Sequence, residues 1–284
     1  MTRYETEMKS ETDAALLALV RAGDHKANEA LLQRYEQRIY RFGLRMCGNE
    51  DDARDVLQET LLSAYRNLAT FRGDARLSTW LYQVARSFCA KQRRLREGEP
   101  SQYEDVDAPQ VLGLPSEAAG GEDRAHAREL GALISAAIGT LGLPYREALV
   151  LRDVEGLSAE DVAAVVGIEV GALKSRLHRA RFALKQQLAA VLDEHPDPAG
   201  CPELALELSA YAASEIDQAA CDTIEKHLAS CSRCAQACES LKRTVSLCRA
   251  LPGGDVPPAV KTAVRNALRR AGAVFPETPA RRDD

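Results

Sequence analysis

LSAEDVAAVVGIEVGALKSRLHRARFALKQQL, residues 157–188, reads as a short helix, a break and a second helix, and that order decides the fold. Ser158 with Asp161 three residues on forms a capping pattern at a helix start. Gly167 interrupts the helix, and a second one opens near Glu169. Lys174, Arg176, Arg179, Arg181 and Lys185 face no acid between Val170 and Leu192. A basic helix alone would suit a solvated surface or a coiled coil. The cap, short helix and turn before it make a helix-turn-helix, whose second helix has the charge to lie in a DNA major groove. Just upstream, LGLPYREALVLRDVEG predicts a helix begun near Pro144, a residue tolerated in a first turn.

A second basic stretch lies further upstream, FRGDARLSTWLYQVARSFCAKQRR at residues 71–94. Arg72, Arg76, Arg86, Lys91, Arg93 and Arg94 stand there against the single acid Asp74, in a chain of net charge -5. Local positive charge in an acidic protein points to a polyanion met at one face. Trp80, the only tryptophan, lies among Phe71, Tyr82 and Phe88. Rings beside Arg and Lys suit the stacking and phosphate neutralisation of unpaired nucleotides. With Leu81 and Val84 at helical spacing the same rings also make a core, and the two roles are compatible.

Apolar steps of three and four residues predict two helices between Asp13 and Cys47, divided at Gly23 and Asp24. Another runs from Asp52 to Leu68, capped by Asn49 or Asp51, and another from about Ser78 to Arg96. Aromatics at 5% of the chain and abundant Ala and Leu favour an all-α protein, and 284 residues allow two or three domains. The expected bodies are 1–97, 130–192 and 199–250, with a flexible acidic linker at 98–129 and a tail at 251–284. The amino terminus is charged throughout, and no run reaches the ~18 apolar residues of a membrane span. A cytoplasmic protein without a membrane partner is expected. No Ser-His-Asp set, phosphate loop or paired carboxylates are recognisable, so no catalysis is expected.

Six of the eight cysteines follow Gly200. In HLASCSRC, His227 and Cys231 share a helix face and Cys231 and Cys234 can close on one ion, with Cys201 as the natural fourth ligand. Cys238, one turn beyond Cys234, competes for that fourth place. A Cys3His set favours Zn2+, with other soft ions as alternatives. Cys221, Cys248, Cys47 and Cys89 read as inert thiols.

With these pieces in place the chain resembles extracytoplasmic-function (ECF) sigma factors of the sigma-70 family. DARDVLQETLLSAYRNLATFRGDARLSTWLYQVAR looks like region two, and LPYREALVLRDVEGLSAEDVAAVVGIEVGALKSRLHRARFAL looks like region four. The resemblance implies that Asp55, Gln58 and Glu59 dock on core RNA polymerase. It implies that Arg72 to Ser87, Trp80 among them, recognise and open the minus-ten promoter element, with Arg86, Lys91 and Arg93 on phosphates. Ser87 stands where many relatives carry Asn. It further implies that Lys174, Ser175, His178 and Arg179 read the minus-thirty-five element while Arg176 and Arg181 hold DNA backbone. Cys201 to Cys234 is similar to the zinc-binding anti-sigma fold, a zinc-finger module that normally belongs to a separate inhibitor; sigma factors with a cysteine-rich, metal-responsive extension are a second likeness. The expected function is promoter recognition in transcription initiation, regulated by the chain's own metal- or redox-sensitive domain or by a separate anti-sigma partner. The alternative is a free-standing helix-turn-helix regulator with a structural zinc module.

Overall fold

Thr12, Asp24 and Asn49 each turn a side-chain oxygen onto a backbone N–H of the following helix, and the first three helices begin at these caps. They are α1 (Asp13–Arg21), α2 (His25–Cys47) and α3 (Glu50–Asn67), followed by α4 (Leu77–Glu97). The computed structural model describes residues 12–73, 75–97, 122–191, 200–251 and 255–272, whose regular structure is entirely helical. Residues 98–121 of the linker expected to be flexible, the terminal FPETPARRDD, whose composition predicts disorder, and the first eleven residues lie outside the described residues.

The chain divides into two units, Met1–Glu99 with Gly253–Asp284, and Pro100–Pro252. In the first, Leu31, Ile39, Phe42, Val56, Leu57, Leu61, Leu81 and Tyr82 are buried between α2, α3 and α4. Phe42 meets Tyr82 edge-on at 5.4 Å, a favoured geometry for two rings. The amphipathic tail forms a helix of its own, α12 (Pro258–Arg270), which packs on α3. The sequence leaves open whether it packs on the zinc module or on a partner; its seat lies in the first unit.

The second unit opens with α5 (Glu122–Thr140), which begins inside the segment that reads as linker. Then come α6 (Leu143–Leu149), a single π turn at Val150–Val154, α7 (Ala159–Val166) and α8 (Val170–Val191). The remainder is α9 (Ala205–Ala212), α10 (Gln218–Ser230) and α11 (Ser232–Arg249), with α9 and α11 packed against α8. The module at 199–250, expected as a separate body, is therefore grouped with the helix-turn-helix.

Candidate nucleic-acid interface and metal centre

In the first unit the Arg21 guanidinium donates to the Phe71 carbonyl at 2.6 Å and fixes the loop before α4. The Phe71 and Trp80 rings lie 5.4 Å apart, tilted by 45°. With Ser63, Asn67, Arg72 and Gln83 they line an open cavity of about 520 Å3, within the size range of small-ligand sites. Trp80 is half-buried, so it packs and lines the cavity at once. Arg72, Ser87 and Lys91 are exposed, while Arg86 and Arg93 are half-buried. The Ser87 hydroxyl donates to the Val84 carbonyl at 2.7 Å. On α3, Asp55 accepts from Arg54 at 3.3 Å, Gln58 is half-buried and Glu59 is exposed. At ~100° per residue these three lie away from the arc of Ala53, Val56, Leu57, Thr60 and Ala64 that faces the core.

In the second unit the Ser158 hydroxyl accepts from the Asp161 N–H at 3.0 Å, as its spacing predicts. Gly167 ends α7 with φ 79°, a left-handed conformation that glycine adopts without steric cost. Lys174 and Arg179 are exposed on α8; Ser175, Arg176 and His178 are half-buried. Arg181 differs from expectation. It is 1% exposed, and its guanidinium meets the two Asp153 oxygens at 2.8 and 2.6 Å. It also reaches Glu215 at 2.8 Å and the Ser209 carbonyl at 3.2 Å. An arginine so enclosed cannot hold a DNA phosphate, and its assignment to backbone contact is corrected. Lys185 is likewise buried, its ammonium 5.7 Å from the Phe182 ring centroid.

The π turn places Asp153 inside: an i to i+5 bond from Glu155 to Val150 marks one extra residue in the turn, and Asp153 is 1% exposed. Glu215 arrives from the carboxyl-terminal module. It follows Ser214, held at φ 60°, in the turn after α9. Arg152 adds a bond to Glu215 at 2.7 Å. Burial pushes the Glu215 carboxyl up, but Arg181 and then Arg152 outweigh it and hold the group below the usual carboxylate range. His178 is held below the ordinary imidazole value by burial first, then by Arg179 and Arg181, with Glu207 of α9 pulling the other way.

The module's own centre gathers Cys201, His227, Cys231 and Cys234, whose ligand atoms lie within 4.8 Å of one another. Cys231 joins α10 to α11, which brings His227 and Cys234 to its two sides. Gly200 passes so close that a Cβ there would sit 3.3 Å from the Cys234 sulfur. That sulfur accepts the Cys201 N–H at 3.1 Å and lies 3.2 Å from His227 Nε2. Tetrahedral zinc with sulfur at ~2.3 Å and nitrogen at ~2.0 Å sets its ligands roughly 3.5 Å apart, so the donor set suits that ion. The Cys231 thiol is pushed down to about 7, chiefly by the Cys234 backbone N–H, which favours the thiolate a metal needs. Cys238 is instead buried against Leu208, Ile224 and Cys234.

Three family models match the chain in order: Sigma-70 region 2 at residues 31–98, Sigma-70 region 4 at 132–184, and a zinc-finger family at 200–235. The RNA polymerase sigma-H factor of Pseudomonas aeruginosa is 35% identical over 192 residues, which are 66% of this chain and 99% of that protein. The chain belongs to the sigma-70 family of RNA polymerase sigma factors. The sigma factor is also similar to the ECF RNA polymerase sigma-E factors of Salmonella typhimurium and Escherichia coli. Each is 33% identical over 186 residues, 64% of this chain and 96% of theirs. It is thus an ECF sigma factor with a carboxyl-terminal zinc-finger domain. It acts in transcription initiation, with RNA polymerase and promoter DNA as partners. Among solved structures it is similar to the sigma factor RpoE in complex with the anti-sigma factor NepR from Bartonella quintana (TM-score 0.44, 27% identity, 56% of this chain and 95% of that one). CnrH in complex with the cytosolic domain of CnrY gives a TM-score of 0.46 at 23% identity, over 63% of this chain and 99% of that one.

Proposed function

We propose that this sigma factor carries its own restraint: the zinc-finger module, seated on region 4 through Glu215, withholds the promoter-reading helix until its metal or thiol state changes. The observation that carries this reading is the buried charge set. At the contact region 4 supplies Arg152, Arg181 and the enclosed acid Asp153, and Glu215 of the module bonds to both arginines. A buried charge is tolerated when paired and costs several kcal/mol when left alone, so the contact is specific. Beside it, His178 on the reading helix lies half-buried near Glu207.

In this reading Asp55, Gln58 and Glu59 dock on core polymerase. The cavity at Phe71 and Trp80 receives an unpaired base of the minus-ten element, with Arg72, Arg86, Ser87, Lys91 and Arg93 around it. Stacking is worth ~1–3 kcal/mol per base, comparable to the few kcal/mol that unpairing one costs. Lys174, Ser175, Arg176 and Arg179 meet the minus-thirty-five element, joined by His178 once the module moves. Cys201, His227, Cys231 and Cys234 hold zinc, which when bound cross-links the loop before α9 to α10 and α11. Oxidation of the thiolates or capture of the ion by a softer competitor releases that link. The protein works in the cytoplasm and performs no catalysis itself.

Glu215→Lys tests the reading, because a third cation beside Arg152 and Arg181 repels the module. With zinc content unchanged, run-off transcription by core polymerase with this variant should rise several-fold over the native chain. Unchanged transcription from a variant whose module has come away, as seen by stronger covalent labelling of the His178 side chain on α8, would contradict it.

A further inference from the structure

The tail helix α12 belongs to the first unit but lies outside residues 31–98, which the region 2 model matches. Val256, Val264, Ala267 and Leu268 are buried, and the exposed Arg269 and Arg270 point elsewhere. Val264, Ala267 and Leu268 fall at helical spacing on one apolar side of α12, and the helix packs on α3. The core face of α3 is already satisfied by α2 and α4, with Ala53, Val56, Leu57, Leu61 and Ala64 buried. Gln58, Leu62 and Tyr65 fall at i, i+4 and i+7 outside that arc, and all three are half-buried. A Cβ on Gly272, just past α12, would lie 3.9 Å from the Tyr65 hydroxyl, so the helix end abuts this flank. Two polar features fix its entry. Gln37 donates to Asp255 at 3.0 Å, and Lys261 and Arg265 face Glu36 on α2.

We infer that α12 is an intrasteric mask on α3: it occupies the flank of Gln58, Leu62 and Tyr65, and core polymerase must displace it to dock there. The inference rests on the proposed role of Asp55, Gln58 and Glu59 in polymerase docking, and adds a restraint that involves neither zinc nor Glu215. Its consequence is that affinity for polymerase is lowered by the fraction of molecules in which α12 is seated.

The test compares core-polymerase affinity for three purified proteins: the native chain, a Val264→Asp/Leu268→Asp variant, and a chain ending at Leu251. Both substituted positions are buried on α12, which packs on α3, so an aspartate at each ejects the helix without entering the core between α2, α3 and α4. The shortened chain removes α12 outright while keeping residues 31–98, 132–184 and 200–235, which the family models match. Both altered proteins should bind about tenfold more tightly or better, as expected when nine-tenths or more of native molecules hold α12 in place. Equal affinity of the native and shortened chains overturns the mask while leaving polymerase docking intact. Failure of all three to bind overturns the docking reading on which the mask depends.

Discussion

Replacing Arg181 by alanine is expected to destabilise the second unit by about 3–5 kcal/mol, because it strands Asp153 as a buried acid without its cation and leaves Glu215 with Arg152 alone. Asp153 is 1% exposed and receives two bonds from that guanidinium, so water cannot take its place without opening the fold. At about 2–4 °C per kcal/mol for a unit of this size, the melting midpoint should fall by roughly 6–20 °C. Lys174→Ala, at an exposed position of the same helix, should stay within about 0.5 kcal/mol. The pair separates two roles for a basic residue. A cation that held DNA backbone would, when removed, weaken promoter binding and leave thermal stability alone; such an outcome for Arg181 would contradict its structural assignment.

Removal of zinc, or Cys231→Ser, should unfold the carboxyl-terminal module and spare the helix-turn-helix. The module's core is small, centred on Leu208, Ile224, Cys234 and Cys238, and one of those four belongs to the ligand set itself. Structural zinc in comparably small domains binds with about 10–16 kcal/mol near neutral pH, and that binding is folding free energy. Amide exchange after chelation should therefore accelerate throughout 205–249, while α7 and the buried Leu173, Leu177 and Leu184 side of α8 keep their protection. The loss of Glu215 leaves Arg181 with Asp153 alone, which weakens region 4 without dissolving it. Unchanged protection across 205–249 in metal-free protein would mean that the module folds without the ion.

The fold is legible where local chemistry dictates it. The cap at Ser158, the left-handed glycine at 167 and the apolar steps of α2 to α4 are short-range signals, and each predicts the element found. The four-residue spacing of His227 and Cys231 and the CxxC that follows are equally local, and Cys201 joins them across an interval of sequence because the module closes on itself. What escapes a reading of the sequence depends on distant partners. Arg181 follows Leu177 by four residues and precedes Leu184 by three, so it falls on the buried stripe of α8. A cation there requires a buried acid, yet the absence of acids between Val170 and Leu192 reads as positive surface. Its partners lie 28 and 34 residues away, one of them turned inward by a π turn that periodicity does not reveal. The seat of α12 is hidden for a similar reason: its stripe shows that it packs, and only the half-buried flank of α3 shows where.

The most direct measurement of the central claim is run-off transcription from one promoter by core polymerase supplied with equal amounts of the full chain or of a chain ending at Leu192. Both should start transcription at the same site, and the shortened chain, lacking the zinc module and α12, should yield several-fold more transcript. Equal yield, unaltered by chelator or oxidant, would contradict the account.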